Sequence, residues 1–417
     1  MAGQDAATRP SSTRGFDRAL LSQSVASRVA YFAREVTVLH PRQEQAYLAA
    51  WRAVQQPAGI THVFVVGPSG VGKTTLLRKL RHALIGQALA EEAPLPGHHP
   101  ICSVVAESPH TGAFNWGGLF RDMLRDLDEP CIDAKITGEE ITAKLAAAGA
   151  RRIALGRRPT TDALREAVEQ AVRLRQPQVI CIDEAHHLAK VGSARRIKDQ
   201  ADCLKSLADR GGRLFLLLGT YEVLPLRKQS DQLSRRTLTV HFPRYTLDCP
   251  DDVEAFKRCL LTFEHFLPVE QRPDLLADWD YLFTYSVGCI GTLKDWLTRA
   301  LSLALREVRT DAGVTARYDA WGVPVTNPAL TLTRAHLEQT ALPADDCLNI
   351  ASLATLGEAE LRVAPGDMDR LHDLLHTQAP AQRATMRFPP PAVAQRRGLP
   401  GRRNPHRDPL GAGEYGP

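Results

Sequence analysis

The chain has 417 residues, 44% of them hydrophobic and 24% charged, with a formal net charge of +5. That length gives room for two compact domains with tails, and the composition is that of an ordinary soluble globular protein. No window holds the ~18 uninterrupted apolar residues of a membrane span, so a membrane protein is excluded as an expectation.

Residues 1–24 are polar and rich in Ser and Thr, which reads as a loosely attached segment. They lack a basic stretch followed by an apolar core, so no secretory signal is expected and the location expected is cytoplasmic. Residues 25–34 form a short mixed stretch without a clear period. A helix is expected from Pro41 to Val54, with its proline where a missing N–H is harmless. Thr61 to Val66 then reads as a buried strand. It runs straight into Gly67-Pro68-Ser69-Gly70-Val71-Gly72-Lys73-Thr74, which fits G-x-x-x-x-G-K-[ST] at every fixed position. From Lys73 a helix follows, with Leu76, Leu77, Leu80 and Leu84 on one stripe. Strand, glycine loop and helix start together form an anion cradle: inward N–H groups and a helix N-terminus favour phosphate. Lys73 would reach the β- and γ-phosphates of ATP, the Thr74 hydroxyl would hold Mg²⁺, and Thr75 would complete the loop's contacts.

Pro100 to Glu107 reads as a second strand, and Asn115 to Leu127 as a helix with Leu119, Met123, Leu124 and Leu127 on one face. Residues 139–149 are Ala-rich and weakly helical. Arg151, Arg152, Arg157 and Arg158 punctuate the next loop, as DNA contacts or as solvated charges. A helix is expected over Thr161 to Arg175.

Gln178 to Leu188 reads QVICIDEAHHL. The apolar run Val179 to Ile182 suits a central parallel strand, and it delivers Asp183 and Glu184 at its C-terminal edge, where open α/β sheets bind ligands. Asp183 is the expected Mg²⁺ carboxylate and Glu184 the candidate to deprotonate an attacking water. His186 and His187 read as packing or surface residues, since no metal spacing surrounds them. D-E-A-H also occurs in helicases, but the S-A-T-like and Q-x-x-G-R-x-x-R-like segments of those motors are missing. Arg213 to Gly219 is another buried strand. Thr220 at its end would bond the attacking water or the γ-phosphate, or serve as a plain turn residue. Arg235 and Arg236 precede the strand-like Thr237 to Phe242. They read as a finger for a neighbour's nucleotide or as ordinary surface arginines.

From Pro250 the pattern turns helical. Asp251 with Glu254 suggests a capping box, as does Thr292 with Asp295. Between them a helix is expected over Leu275 to Tyr285, broken at Ser286 to Gly291. Lys294 falls in the first turn of the next helix, where the dipole disfavours a cation unless a phosphate faces it. Thr333 to Leu342 and a segment around Met368 to Leu375 are further helical stretches. The eight cysteines are scattered without any C-x-x-C, which fits reduced, buried thiols. From Pro380 the chain is Pro- and Arg-rich with no apolar period, so a disordered tail is expected. Seven arginines there face Asp408 and Glu414, so the tail carries the whole net +5 and the body is neutral. A basic tail on a neutral body suits an acidic partner at the tail alone.

Phosphate loop, D-E-A-H, strand ending in G-T, paired arginines and a small helical region stand in the order used by AAA+ ATPases. More narrowly the chain resembles the TniB/TnsC-type ATPases of DNA transposition. The residues that carry this are GPSGVGKTTLL (67–77), IDEAHHL (182–188), KSLAD (205–209) leading to LLLGT (216–220), Ser234-Arg235-Arg236, and Gly288 to Lys294. The resemblance implies an α/β AAA+ P-loop core, a parallel sheet with helices on both faces, followed by a small helical lid. It implies ATP and Mg²⁺ as cofactors, Glu184 as hydrolytic base, Thr220 as sensor 1, and Arg235 or Arg236 as the finger. Lys294 stands where that family usually has an arginine as sensor 2. It also implies a homo-oligomer on double-stranded DNA, with a transposase and a target-selection protein as partners. The domain layout expected is a polar segment 1–34, a core 35–248, a lid 249–345, a helical segment 346–379 and a tail 380–417. Two other readings share parts of this pattern: a helicase-loading or replication-initiating AAA+ ATPase, and a signalling NTPase switch whose output is protein binding.

Overall fold

The computed structural model describes residues 15–91, 97–109, 112–135, 159–191, 193–228, 234–306, 317–318, 324–325, 331–362 and 366–376. The expected helix 139–149, the loop arginines 151, 152, 157 and 158, and the tail from 380 lie outside them.

Two helices come first, α1 (Val25–Arg34) and α2 (Pro41–Gln55). The core then alternates strand and helix: β1 (His62–Val66), α3 (Lys73–Leu89), β2 (Ile101–Val105), α4 (Trp116–Asp126), α5 (Thr161–Arg175), β3 (Val179–Asp183), α6 (Ala194–Gly211), β4 (Leu214–Gly219) and β5 (Thr237–His241). The strands form one parallel sheet in the order β2-β3-β4-β1-β5. Alternate residues of β1 enter different cores. Phe64 and Val66 pack with α4, α5 and α6, whereas Val63 and Val65 pack with α2 and α3. A strand covered on both faces has to be apolar throughout, which is why β1, β3 and β4 read as unbroken runs.

Local signals set the helix ends. Thr160 Oγ1 accepts from Ala163 N and caps α5, and Ser193 Oγ accepts from Arg196 N and caps α6. Gly212, at φ +60°, stops α6 in the left-handed conformation that glycine adopts most easily.

The helical region comprises α7 (Pro250–Phe266), α8 (Trp279–Ser286), α9 (Ile290–Arg306) and α10 (Arg334–Thr340). It has its own apolar cluster around Trp296, Phe256 and Phe263. Neither expected capping box forms. α7 starts at Pro250 with Cys249 as a cap that makes no side-chain bond, and Asp252, not Asp251, is the carboxylate in use. Its Oδ2 accepts from Thr246 N and Oγ1, and both its oxygens accept from Arg42. α9 begins at Ile290, so Thr292 lies inside it, and α8 is shorter than the Leu275–Tyr285 stretch because residues 275–278 form turns.

Two further features matter for the site. Residues 25–34 form α1, whose Phe32 is fully buried in the cluster of α7 and α9. A long helix also follows α10, α11 (Ala344–Leu361). Residues 1–361 make one compact unit and residues 362–417 another. Within the second, α12 (Asp367–His376) carries Met368, Leu371, Leu374 and Leu375, all exposed. No helix among the described residues is long and apolar enough to span a membrane. All eight cysteines are free, and Cys102, Cys181, Cys259 and Cys289 are buried.

Candidate nucleotide site

Parallel registry brings the C-terminal ends of the strands to one edge: Val66 beside Gly219 and His241, and Asp183 beside Val105. The loop after β1 turns there. Gly70 and Gly72 hold φ of +74° and +114°, and Gly67 packs so tightly on the Phe242 carbonyl that no side chain would fit. The geometry leaves backbone N–H groups ahead of α3 free to face an anion.

Lys73 is buried, and its Nζ donates to the carbonyls of Gly67 at 3.0 Å and Pro68 at 2.8 Å. Burial pulls its pKa down, while Glu184 and Asp183 oppose that pull. Such an ammonium, satisfied only by loop carbonyls, is placed to exchange them for phosphate oxygens. Asp183 is 3% exposed. Its Oδ2 accepts from Thr74 Oγ1 at 2.8 Å, and its Oδ1 accepts from Glu184 N at 2.9 Å. Hydroxyl and carboxylate thus meet at one point beside the buried ammonium. This oxygen-donor pair fits Mg²⁺ carried in with ATP. Ser69 and Thr74 are exposed, Thr75 is half-buried and Val71 is packed inside.

Glu184 directly follows β3 with φ +52°, a left-handed conformation costly for a non-glycine residue and often found where function demands it. Its side chain is 42% exposed, and its Oε2 lies 3.1 Å from His186 Nδ1. Burial first, then His187 and Lys190, push the His186 pKa down to about 4, so the ring is neutral at pH 7. Donor atoms of Glu184, His186 and His187 fall within 4.8 Å of one another, and the two rings lie 4.2 Å apart. E-A-H-H on one 3₁₀ turn is the sequence signal for that proximity, which the packing reading of the histidines passed over.

The remaining expected residues divide. Thr220 ends β4 at the same edge, with its Oγ1 donating to Glu222 Oε2 at 3.4 Å. Lys294 turns away: its Nζ donates to the Ala33 carbonyl at 2.8 Å and ties α9 to α1. What faces the phosphate loop instead is the backbone of α9. Thr292 N donates to the Gly70 carbonyl at 3.1 Å, and Gly291 sits against that same carbonyl. Arg235 and Arg236 lie at the other end of the sheet. Arg236 precedes β5, its carbonyl accepts from Thr61 N and His62 N, and its guanidinium pairs with Asp209 at 3.2 Å. The length of β1 puts them roughly 15 Å from the loop of their own chain.

Unforeseen is the neighbourhood of α11. A cavity of about 430 Å³ is bounded by Pro68, Ser69 and Thr220 on one wall and by Leu353 and Gly357 of α11 on the other. Gly357 lies flat on the Tyr221 ring, leaving no room for a Cβ. The expected helical segment 346–379 covers most of α11, but no amphipathic face pointed to this contact, because its apolar residues are spread round the helix.

Residues 58–226 match the family model of an AAA domain. That span holds the phosphate loop, Asp183, Glu184 and Thr220, and the five-stranded parallel sheet with the helical region after it has the architecture of an AAA+ α/β core followed by a helical domain. Among solved structures, a Walker-type ATPase of Pyrococcus abyssi is similar at 15% identity and a TM-score of 0.37, over 64% of this chain and 68% of that one. The AAA domain of FIGL-1, solved in complex with ADP, is similar at 15% identity and a TM-score of 0.31, over 79% of this chain and 85% of that one. No curated protein matches the chain.

Proposed function

We propose that this chain is an ATP-hydrolysing regulator of DNA transposition, which assembles on duplex DNA as a homo-oligomer in its ATP state and recruits or activates a partner transposase. The observation that carries the hydrolytic part is the meeting of Lys73, Thr74, Asp183 and Glu184 at one edge of the sheet. In this reading Lys73 gives up the Gly67 and Pro68 carbonyls and binds the β- and γ-phosphates. Bound Mg²⁺, held by Thr74 and Asp183, would spread the phosphate charge. Glu184 takes the proton of the attacking water, and Thr220 orients that water or the γ-phosphate. His186 lies beside the carboxylate of Glu184, with Nδ1 and Oε2 3.1 Å apart.

The transposition part is supported by the D-E-A-H-H-L, K-S-L-A-D and G-T succession. It is also supported by arginines too far from their own phosphates to act within one subunit. A finger supplied by a neighbour could raise hydrolysis by about 10³–10⁵ and would make turnover depend on assembly. Duplex DNA promotes that assembly as a continuous anionic track.

The test is a set of three variants assayed with and without duplex DNA. Lys73→Ala should lose ATP binding, Glu184→Gln should bind ATP and lose turnover, and wild-type turnover should rise when DNA is added. A Glu184→Gln protein that hydrolyses at the wild-type rate refutes the base assignment. Activity strictly linear in protein concentration and indifferent to DNA refutes the assembly on DNA.

A further inference from the structure

Three metal-ligating side chains share the 3₁₀ turn after β3: Glu184 caps the turn, and His186 and His187 lie on it. The core holds its backbone. Ala185 and Leu188 are fully buried, His187 N donates to the Glu184 carbonyl, and Ala189 N donates to the His186 carbonyl, each at 3.0 Å. From the other side Gly219 packs against the His186 backbone, where a Cβ would come within 3.0 Å of the His186 nitrogen. Only side-chain torsions remain free at the three positions.

The side chains converge. One nitrogen of each ring and one Glu184 oxygen lie within 4.8 Å of one another, with the ring centres 4.2 Å apart. His186 is only 7% exposed. The Nδ1 atoms of both histidines are buried, and neither has a hydrogen-bond partner among the described residues. His186 Nδ1 comes close to Glu184 Oε2, but out of line for a hydrogen bond. A buried polar atom left without a partner is costly, and here two such atoms stand beside a carboxylate. Lys190, whose charge would oppose a cation, is paired with Glu222 at 3.1 Å. His186 also lines the cavity beside Pro68 and Thr220, which gives an ion a way in.

We propose that Glu184, His186 and His187 bind a transition-metal dication of the Zn²⁺ class, and that the bound ion stops ATP hydrolysis by taking the Glu184 carboxylate. The proposal rests on the reading of Glu184 as the base. Zn²⁺ accepts two imidazoles and one carboxylate at about 2.0–2.2 Å, with a water in the fourth position. Tetrahedral donors then stand roughly 3.3 Å apart. Rotation of the Glu184 side chain, 42% exposed, closes the set to that spacing. Mg²⁺ is a poor competitor here, because it prefers an octahedron of oxygens, which Thr74 and Asp183 begin next door. A carboxylate drawn into the coordination of a dication is a far weaker base and is turned from the attacking water. Lys73, Thr74 and Asp183 keep their places, so the ion blocks turnover and spares nucleotide binding.

The experiment titrates Zn²⁺ and Co²⁺ into the full chain after chelation has stripped it of metal. Calorimetry should show one Zn²⁺ per chain. Loss of one imidazole in His187→Gln should weaken it by about 100-fold or more, and His186→Asn/His187→Gln should lose it. Co²⁺ on wild type should show a visible ligand-field band without thiolate charge transfer, which keeps the eight free cysteines out of the site. With Mg²⁺ and ATP in excess, saturating Zn²⁺ should cut turnover by more than about 10-fold while ATPγS affinity changes by less than about 2-fold. A zinc-selective chelator should restore turnover. Zn²⁺ bound equally well by both histidine variants overturns the site. So does a thiolate band with Co²⁺, a result that needs no variant to fold. Zn²⁺ bound at the histidines with turnover unchanged overturns the inhibition, and Glu184→Gln then tells which step failed. If that variant hydrolyses ATP as wild type does, the base assignment is at fault; if it is inactive, the ion sits clear of the base.

Discussion

Replacing Gly291 by alanine separates local from global stability at the contact between α9 and the phosphate loop. Gly291 lies in the first turn of α9, and a Cβ there would overlap the Gly70 carbonyl oxygen, a backbone atom that cannot swing aside. Alanine in a helix is favoured over glycine by roughly 0.5–1 kcal/mol. Against that, the helix start must shift away from the loop, and the Thr292 N to Gly70 O bond at 3.1 Å is lost. That loss is worth about 0.5–1.5 kcal/mol. The two terms nearly cancel, so denaturant melts should move by less than about 1 kcal/mol. Locally nothing cancels: exchange of the Thr292 amide should speed up by roughly 2- to 10-fold, following the lost bond. Exchange mass spectrometry over residues 288–294 reads this directly, and a fluorescent ADP analogue should leave the variant faster than wild type. If Thr292 exchanges at the wild-type rate in a folded Gly291→Ala protein, α9 does not rest on the phosphate loop.

Thr74→Ala removes the hydroxyl bonded to Asp183, and should leave nucleotide binding without Mg²⁺ unchanged while abolishing the gain in affinity that Mg²⁺ gives; equal gains in both proteins would refute the metal assignment. Asp252→Ala should destabilise by about 3–4 kcal/mol in a urea melt, since it strips Arg42 and Thr246 of the carboxylate that joins α2 to α7. A change below about 1 kcal/mol would show that the bridge is idle. Burial holds the pKa of His40 and of His62 down to about 4, against 6.5 for a free ring. The unfolded chain therefore binds more protons between those values, and stability, complete above pH 6.5, falls as pH drops toward 4. Two such rings predict a loss of about 2 kcal/mol each between pH 7 and pH 5, and His62→Asn should remove about half of it.

The sheet and the phosphate end of the site were legible because each rests on a short-range pattern. β1, β3 and β4 are buried on both faces, so their apolar runs could hardly be anything else, and the glycine loop fixes where Lys73 and Thr74 sit. The pairing of Thr74 with Asp183 spans a sequence separation of 109 residues, yet it follows once both lie at strand ends of one parallel sheet. What stayed hidden depends on partners far along the chain. Arg28 looks like a surface residue in a mixed stretch, but it is buried and its guanidinium donates to the Pro268 carbonyl, 240 residues along the chain. α11 shows the same problem from the other side. Only Ala354, Gly357 and Glu358 of its residues are buried; they stand at helical spacing, but Leu348, Leu353 and Leu356 leave apolar residues on the exposed side as well, so no single face stood out. The two capping boxes failed for a related reason. The Thr292 N–H that a capping carboxylate would accept donates to Gly70 instead, and α7 already starts at Pro250, which puts Asp251 inside it.

The position of Arg235 and Arg236 bears on how the site can be completed. Both precede β5, at the edge where Thr61 and His62 begin β1, while the phosphates must lie where β1 ends. An extended arginine side chain spans far less than the roughly 15 Å between those edges, so neither can turn back to its own nucleotide. Arg235 is exposed, and Arg236 is held only by an exposed pair with Asp209, which a competing phosphate would break at little cost. In the proposed assembly a neighbour's Arg235 or Arg236 therefore has to arrive before the charge on a transferring phosphate is fully met. In an Arg235→Ala/Arg236→Ala protein, ATP binding should stand while hydrolysis should lose its rise with protein concentration. A rise equal to that of the wild type would show that neither arginine is the finger.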